Sequence, residues 1–352
     1  MTHQIKYIGP YVIETGIPLP KPAFPGGSKT RVSRAGNAIR TGSATPEDYQ
    51  IIDTWRAAHR NVLNTFQALL RTRTRGQNIV VAQRLKRRKT VFGKLNRYPS
   101  MELSRMDDVA GCRLIFPTLE ELYTFRQHFN QGSFKHKLRN DPDKWDYIKR
   151  PKPTGYRGIH DVYEYDVNSE QGRDYKGLLL EVQYRTAAQH AWATCVEVVG
   201  FLTESQPKFQ QGDKRYETAM AYASELIARY AEQRSSCLPD TDSPSLVSEF
   251  SRLESELGLL KLLRGLNAAR NHISNRKDMI LIFEDDHLVI RDYRRSAAAL
   301  QALFKLESET RTGDVVYVRA DKGEDVRNAF RNYFSDATEF LSLIDQACAY
   351  FS

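Results

Sequence analysis

Four short apolar runs, NIVVAQRL (78–85), VAGCRLIF (109–116), GIHDVYEYDV (158–167) and GLLLEVQY (177–184), have the length and composition of strands and are separated by segments with helical spacing. A sheet built from such runs has to hide its apolar faces under helices, so the pattern predicts a mixed α/β (α+β) fold: a mixed β-sheet flanked by helices. Ahead of the first run, after Thr45-Pro46, the segment IIDTWRAAHRNVLNTFQALL brings Ile52, Trp55, Leu63, Phe66 and Leu70 to one face and predicts a helix packed on that sheet. Further helices are expected around 89–97 and 118–130. Beyond Thr186 a long helical stretch runs to about Arg276, broken within SSCLPDTDSPS (235–245). The tail restarts with the strands MILIFED, HLVIRDY and DVVYVRA and with helices around 295–308, 324–333 and 337–350. The division read from this is an irregular basic arm (1–44), a sheet domain (45–205), a helical connector (206–276) and a small C-terminal α/β domain (277–352) with a regulatory role.

Composition narrows the function classes. No apolar run approaches the roughly 20 residues that cross a bilayer, and MTHQIKYIGPYVIE does not read as a secretory leader, so the expectation is a cytoplasmic protein without a membrane role. Four cysteines, Cys112, Cys195, Cys237 and Cys348, are scattered without a CxxC pair, as expected of reduced thiols rather than a zinc site. The net charge of +9 draws phosphates but does not separate nucleotides from nucleic acid. GGSKT (26–30) is not a P-loop, because Ser28 stands where that motif needs Gly before the Lys.

Chemistry concentrates in four segments of the sheet domain. In RLKRRKTVFGK (84–94) a strand runs into a helix, which aims Arg84, Lys86, Arg88 and Lys94 toward one end of the sheet, where they could neutralise a polyphosphate; a solvated basic face is the alternative. Asp108 opens an apolar strand at the sheet edge, where it could hold a hard cation such as Mg²⁺ or serve as a cap. Glu181 interrupts GLLLEVQY beside Gln183, on the face opposite Leu180 and Val182. A carboxylate there needs a metal or a basic partner, and desolvation suits it to general base work. In YIKRPKPTGYRGIH (147–160) two prolines and Gly155 predict a rigid loop. Lys149, Arg150, Lys152 and Arg157 offer donors for anions, and Tyr147 and Tyr156 offer faces for a base.

Taken in order, RxK with a following hydroxyl and Lys (Arg84, Lys86, Thr90, Lys94), DxAGxR (Asp108 to Arg113), DYIxxPKxxGYxxxH (Asp146 to His160) and ExQxRT (Glu181 to Thr186) resemble the synthetase domain of the RelA/SpoT alarmone family over roughly residues 45–205. The resemblance implies a nucleotidyltransferase-like fold and transfer of the β,γ-pyrophosphate of ATP to the 3′-hydroxyl of GDP or GTP, with release of AMP. It implies that Arg84, Lys86, Thr90, Lys94 and Arg113 hold ATP and that Asp108 and Glu181 hold Mg²⁺, Glu181 also receiving the hydroxyl proton. Tyr156 would stack on guanine, assisted by Tyr147, Lys152, His160, Gln183 and Arg185. His160-Asp161 spells HD but falls on one strand, and is read as coincidence. Two other readings stay open: a toxin that pyrophosphorylates the tRNA 3′ end, suggested by the basic arm and RTRTR (71–75), and a silent nucleotide-binding regulator. Expected partners are the nucleotides, with tRNA, an antitoxin or regulatory protein at residues 277–352, and a second copy of the chain as further alternatives.

Overall fold

The computed structural model describes residues 24–205, 213–260, 263, 278–284, 287–309, 314–320 and 338–352. The four runs become β1 (Val80–Leu85), β2 (Ala110–Phe116), β4 (Ile159–Glu164) and β5 (Leu179–Thr186), with a two-residue β3 (Lys137–Leu138) at one edge. Three more strands follow: β6 (Asp278–Glu284), β7 (His287–Tyr293) and β8 (Asp314–Ala320). They form one eight-stranded sheet in the order β3-β4-β5-β2-β1-β8-β6-β7. Among the described strands only β2 and β5 pair in parallel, so the sheet is mixed as expected.

The helix read from Ile52, Trp55, Leu63, Phe66 and Leu70 is α2 (Pro46–Arg73), and all five side chains are buried. Thr45 and Asp48 close a reciprocal capping box, and Pro46 occupies the first turn, where its missing N–H costs nothing. Two helices cover the strand connections: α3 (Arg88–Arg97) follows β1, and α4 (Leu119–Asn130) follows β2. A short α5 (Glu170–Arg173) precedes β5. The long helical stretch resolves into α6 (Ala187–Ser205), α7 (Lys214–Glu232) and α8 (Ser243–Leu257), the last two separated by the segment read as a break.

Two expectations are corrected. Residues 1–44 were read as irregular, yet Lys29–Arg40 form α1; Lys21 and the rest of residues 1–23 lie outside the described residues. Ser28 caps α1 by accepting from the Arg31 N–H, and Val32, Ala35 and Gly36 form its buried stripe. The approach there is close enough that a Cβ on Gly36 would sit 2.6 Å from Leu103 Cβ. The preceding Pro-Gly density masks this short stripe in the sequence. The second correction concerns residues 277–352, whose described strands do not form a sheet of their own. β8 pairs antiparallel with β1, Arg84 facing Val318, so the C-terminal strands continue the central sheet and cover an edge that would otherwise expose unpaired backbone. The helix expected at 295–308 is α9 (Ser296–Glu309). The one at 337–350 is α10 (Thr338–Phe351), whose Phe340, Leu341, Ile344 and Ala347 join the apolar cluster of α6, α7 and α8. The helix expected at 324–333 lies outside the described residues. No helix among the described residues is long and apolar enough to cross a membrane.

One buried ion pair ties α4 to β4: the Arg126 guanidinium donates to both Asp161 oxygens (2.9 and 2.7 Å) and to the Pro142 carbonyl. The HD dipeptide falls on one strand, as read from the sequence, and His160 points to the other face of β4 from Asp161. Asp161→Ala would leave the arginine buried without its partner and is expected to lower stability by about 3–5 kcal/mol, measured by denaturant unfolding.

Candidate active site

The site lies where β1, β2, β5 and β4 stand side by side. The parallel ladder sets Gly111 opposite Glu181 and Arg113 opposite Gln183. The antiparallel ladder on the other side sets His160 opposite Gln183. Alternation along β5 sends Leu180 and Val182 into the core and leaves Glu181 and Gln183 on the accessible face.

On the β1–β2 side the expected basic cluster forms, but without one member. Lys86 continues the ladder through its N–H to the Val109 carbonyl (2.8 Å), and its Nζ donates to Asp108 Oδ2 at 2.6 Å. Lys94 Nζ, one helix turn into α3, lies 3.1 Å from Asp108 Oδ1 and 3.3 Å from Asp107 Oδ1. Burial pushes the Lys86 ammonium below its ordinary range despite Asp108, because Arg84 and Lys94 also crowd it. Burial acts the same way on Lys94, but Asp108 and Asp107 together outweigh it and raise its pKa. Asp107 is itself raised, chiefly by burial, with Asp108 and Glu181 adding to the effect against Lys94. The adjacency of Asp107 to Asp108 was visible in DDVAG, but nothing in the sequence showed that both face Lys94. Arg113 Nε donates to Gln183 Oε1 (3.3 Å), linking this side to β5, and Thr90 sits half-buried on the first turn of α3. Arg88 leaves the cluster: it turns toward α2 and α9, donating to Asp53 Oδ2 and to the Glu307 carbonyl.

On the β4–β5 side the loop 147–158 is held from below by Asp146. Its Oδ1 accepts from the Ile148 and Lys149 N–H groups (3.1 and 3.0 Å), and the Tyr123 hydroxyl donates to the same carboxylate. Gly155 adopts φ +87°, and a Cβ there would lie 2.7 Å from Ser224 Cβ and 3.1 Å from the Trp192 ring. Ser224 Oγ donates to the Gly155 carbonyl at 2.6 Å, which fastens the turn to α7. Tyr147 and Tyr156 meet edge to face with centroids 5.7 Å apart, Lys152 Nζ lies 4.3 Å from the Tyr147 centroid, and the Arg185 guanidinium lies 5.3 Å from that of Tyr156. Two rings flanked by two cations make a cradle for a flat, anionic ligand.

Of the four loop cations read as anion donors, only Lys152 faces this cradle. Lys149 and Arg150 bond to Asp143, and Arg157 is buried against Ser224 and Glu232. Glu232, at the end of α7, also accepts from Thr186 and Gln189, so one carboxylate fixes both the loop and the end of β5. Ser224 and Glu232 lie far along the chain from the motifs, and no spacing marks them. His190 and Trp192 are buried on α6, the indole N–H donating to the Met220 carbonyl.

The two sides join through a continuous chain of polar contacts. Arg185 donates to the Tyr156 hydroxyl (3.1 Å), which is bonded to His160 Nε2; His160 Nδ1 contacts Glu181 Oε1 at 2.6 Å, and Gln183 Nε2 donates to Glu181 Oε2 at 2.6 Å. Burial alone would raise the Glu181 carboxyl, but His160, Gln183 and Arg84 hold it down at about 2. Burial likewise opposes the His160 imidazolium, and Tyr156 and Glu181 nevertheless raise it to about 9. Tyr156 is brought down to about 8, where Arg185 and His160 overcome the effect of burial. At neutral pH this chain therefore holds Glu181 as an anion beside an imidazolium.

The cradle depends on the backbone of Gly155. Gly155→Ala would force a side chain into the left-handed region and against α7, and is expected to cost about 1–2 kcal/mol of stability from backbone strain alone. Denaturant unfolding checks the cost, and loss of the Trp192 environment by fluorescence checks that the loop has lifted.

Residues 83–199 match a family described as a region found in RelA/SpoT proteins. Over 96 residues the chain is 32% identical to GTP pyrophosphokinase YjbM of Bacillus subtilis, covering 27% of this chain and 43% of that protein. Over 131 residues it is 29% identical to GTP pyrophosphokinase YwaC of the same organism, covering 36% and 55%. The chain thus spans about half the length of the curated relatives it matches. The crystal structure of small alarmone synthetase 1 from Bacillus subtilis aligns with a TM-score of 0.42 at 20% identity, over 57% of this chain and 95% of that one. The matched residues 83–199, similar to a region found in RelA/SpoT proteins, carry both sides of the site.

Proposed function

We propose that this protein is an ATP-dependent pyrophosphokinase that transfers the β,γ-pyrophosphate of ATP to the 3′-hydroxyl of GDP or GTP and releases AMP. The observation that carries this reading is the placement of Glu181 between an aromatic, cationic cradle and a lysine-rich strand end, each part of one continuous sheet. ATP lies on the β1–β2 side, its phosphates against Lys86 and Lys94, with Arg84 and Arg113 for the base and Thr90 at the start of α3. The guanine lies against Tyr156, with Tyr147, Lys152 and Arg185 around it.

In the reaction the 3′-oxygen attacks the β-phosphorus, the bond from that phosphorus to the α-phosphate oxygen breaks, and AMP leaves. Glu181 accepts a hydrogen bond from the 3′-hydroxyl and takes its proton as the new P–O bond forms. A carboxylate held low by His160 is a weak base, which suffices where a loose phosphoryl transition state releases the hydroxyl proton late. His160 and Gln183 fix the carboxylate, and the lysines offset charge on the phosphates, so most of the rate comes from positioning and electrostatics. Asp108 and Glu181 supply oxygen donors of the kind Mg²⁺ takes. Asp108 Oδ1, buried and 3.1 Å from Lys94 Nζ, and Oδ2, 2.6 Å from Lys86 Nζ, would exchange an ammonium partner for such an ion. Among the described residues no group of three His, Cys, Asp or Glu could hold a metal, so the phosphates would complete the coordination of an ion that, when bound, neutralises the transferred group.

The test is incubation with Mg²⁺ and γ-labelled ATP, offering GDP, GTP and bulk tRNA separately. Label in a guanosine nucleotide is expected; label only in tRNA, or nowhere, overturns the reading. Glu181→Gln is expected to lower kcat at least about 10²-fold. Tyr156→Ala is expected to raise KM for the guanosine nucleotide by roughly 5- to 100-fold, with KM for ATP little changed, as the loss of one stacked base implies.

A further inference from the structure

We infer that Glu307, on the C-terminal helix α9, is a positioning residue for the ATP side of the site. The inference rests on the pyrophosphokinase reading above. Its basis is a buried cluster that joins α9 to the turn between β1 and α3. Helix α3 begins after Arg87 without any side-chain cap of its own. The cap comes from elsewhere in the fold: Glu307 Oε1 accepts from the Arg88 N–H at 2.8 Å, 219 residues away in sequence. The same carboxylate holds Arg56 of α2, with Oε2 3.0 Å from Nη1 and Oε1 3.3 Å from Nη2. The Arg56 side chain is fully buried, and that of Glu307 is 7% exposed. Arg56 Nη2 in turn donates to the Lys86 carbonyl at 2.9 Å. Arg88 completes the cluster by donating to the Glu307 carbonyl and to Asp53.

The geometry gives this cluster a direction. Lys86 and Lys94 are the ammonium groups that reach Asp108, and each is carried by backbone that Glu307 touches at one remove. The carboxylate fixes the carbonyl of Lys86 through Arg56 and the first turn of α3 through the Arg88 N–H. A negative group at that helix end also favours the helix electrostatically. The cradle for guanine, by contrast, is braced by α7 through Ser224 and Glu232. Each side of the site therefore has its own brace, and the two can be disturbed separately. Glu307 touches neither substrate in this arrangement; it sets the position of groups that do.

The experiment measures binding of a non-hydrolysable ATP analogue and of GDP to the full chain by calorimetry, for the wild type, Glu307→Ala and the double variant Arg56→Met/Glu307→Leu. The double variant guards against loss of fold, because it replaces the buried ion pair by apolar side chains of similar size and leaves no charge unpaired. Both variants are expected to bind the ATP analogue at least about fivefold more weakly while GDP affinity stays within about twofold, with the double variant melting near the wild type. A purely structural role would weaken both ligands alike or neither. If the wild type binds the analogue and the double variant binds it with unchanged affinity, or loses both ligands equally, the inference fails and the pyrophosphokinase reading stands. If the wild type binds no ATP analogue, the reading itself fails and takes the inference with it.

Discussion

The parallel pairing of β2 with β5 is the constraint on which the site depends. These are the only parallel neighbours among the described strands, and their register places Glu181 beside Gly111 and Gln183 beside Arg113. A slip of one residue would turn Glu181 into the apolar core and expose Leu180 or Val182. Burial of those two side chains under the helices therefore does more than stabilise the strand, since it fixes which face the carboxylate occupies. Gly111, lacking a side chain, leaves open the space beside Glu181 where the two sides meet.

Charge is organised around that register in two opposed patterns. On one side aspartates are surrounded by lysines, and Lys86 and Lys94 shift in opposite directions although they share Asp108, because burial dominates at one and the carboxylates at the other. On the other side a single carboxylate is held anionic by an imidazolium that also contacts a phenol. The first pattern suits a ligand that brings negative charge, since incoming phosphates can replace carboxylates as the partners of the lysines. The second suits a neutral hydroxyl, which needs an acceptor in a fixed place.

The fold braces these patterns with elements outside the motifs. Helix α7 holds the loop 147–158 through Ser224 and Glu232, and α9 holds the turn after β1 through Glu307. The C-terminal strands complete the edge of β1 rather than building a separate sheet. Catalytic side chains carried on loops gain precision only when such second contacts lock the backbone, so these distant segments belong to the site in a physical sense.

Much of this was legible in the sequence. Period-two and period-3.6 patterns identified β1, β2, β4, β5 and the apolar face of α2, because burial of one face leaves a local signature. Residue type and spacing also singled out Asp108, Glu181, Lys86, Lys94, Tyr147, Tyr156 and Lys152, since phosphates and bases require cations, carboxylates and rings in close order, and the family resemblance added His160. The same reasoning overcounted cations: Arg88, Lys149, Arg150 and Arg157 read like their neighbours, but each found a carboxylate or carbonyl nearby and turned away from the site. It also missed Asp107, Ser224, Glu232 and Glu307, and the joining of β8 to β1. The sequence by itself determined which segments are strands and helices and which residue types can do the chemistry, because these follow from local periodicity and side-chain chemistry. Only the tertiary structure decided which charges face the ligand and which brace the fold, because that choice depends on which partners folding brings within reach, from Asp143 beside Lys149 to Glu307, 219 residues from Arg88.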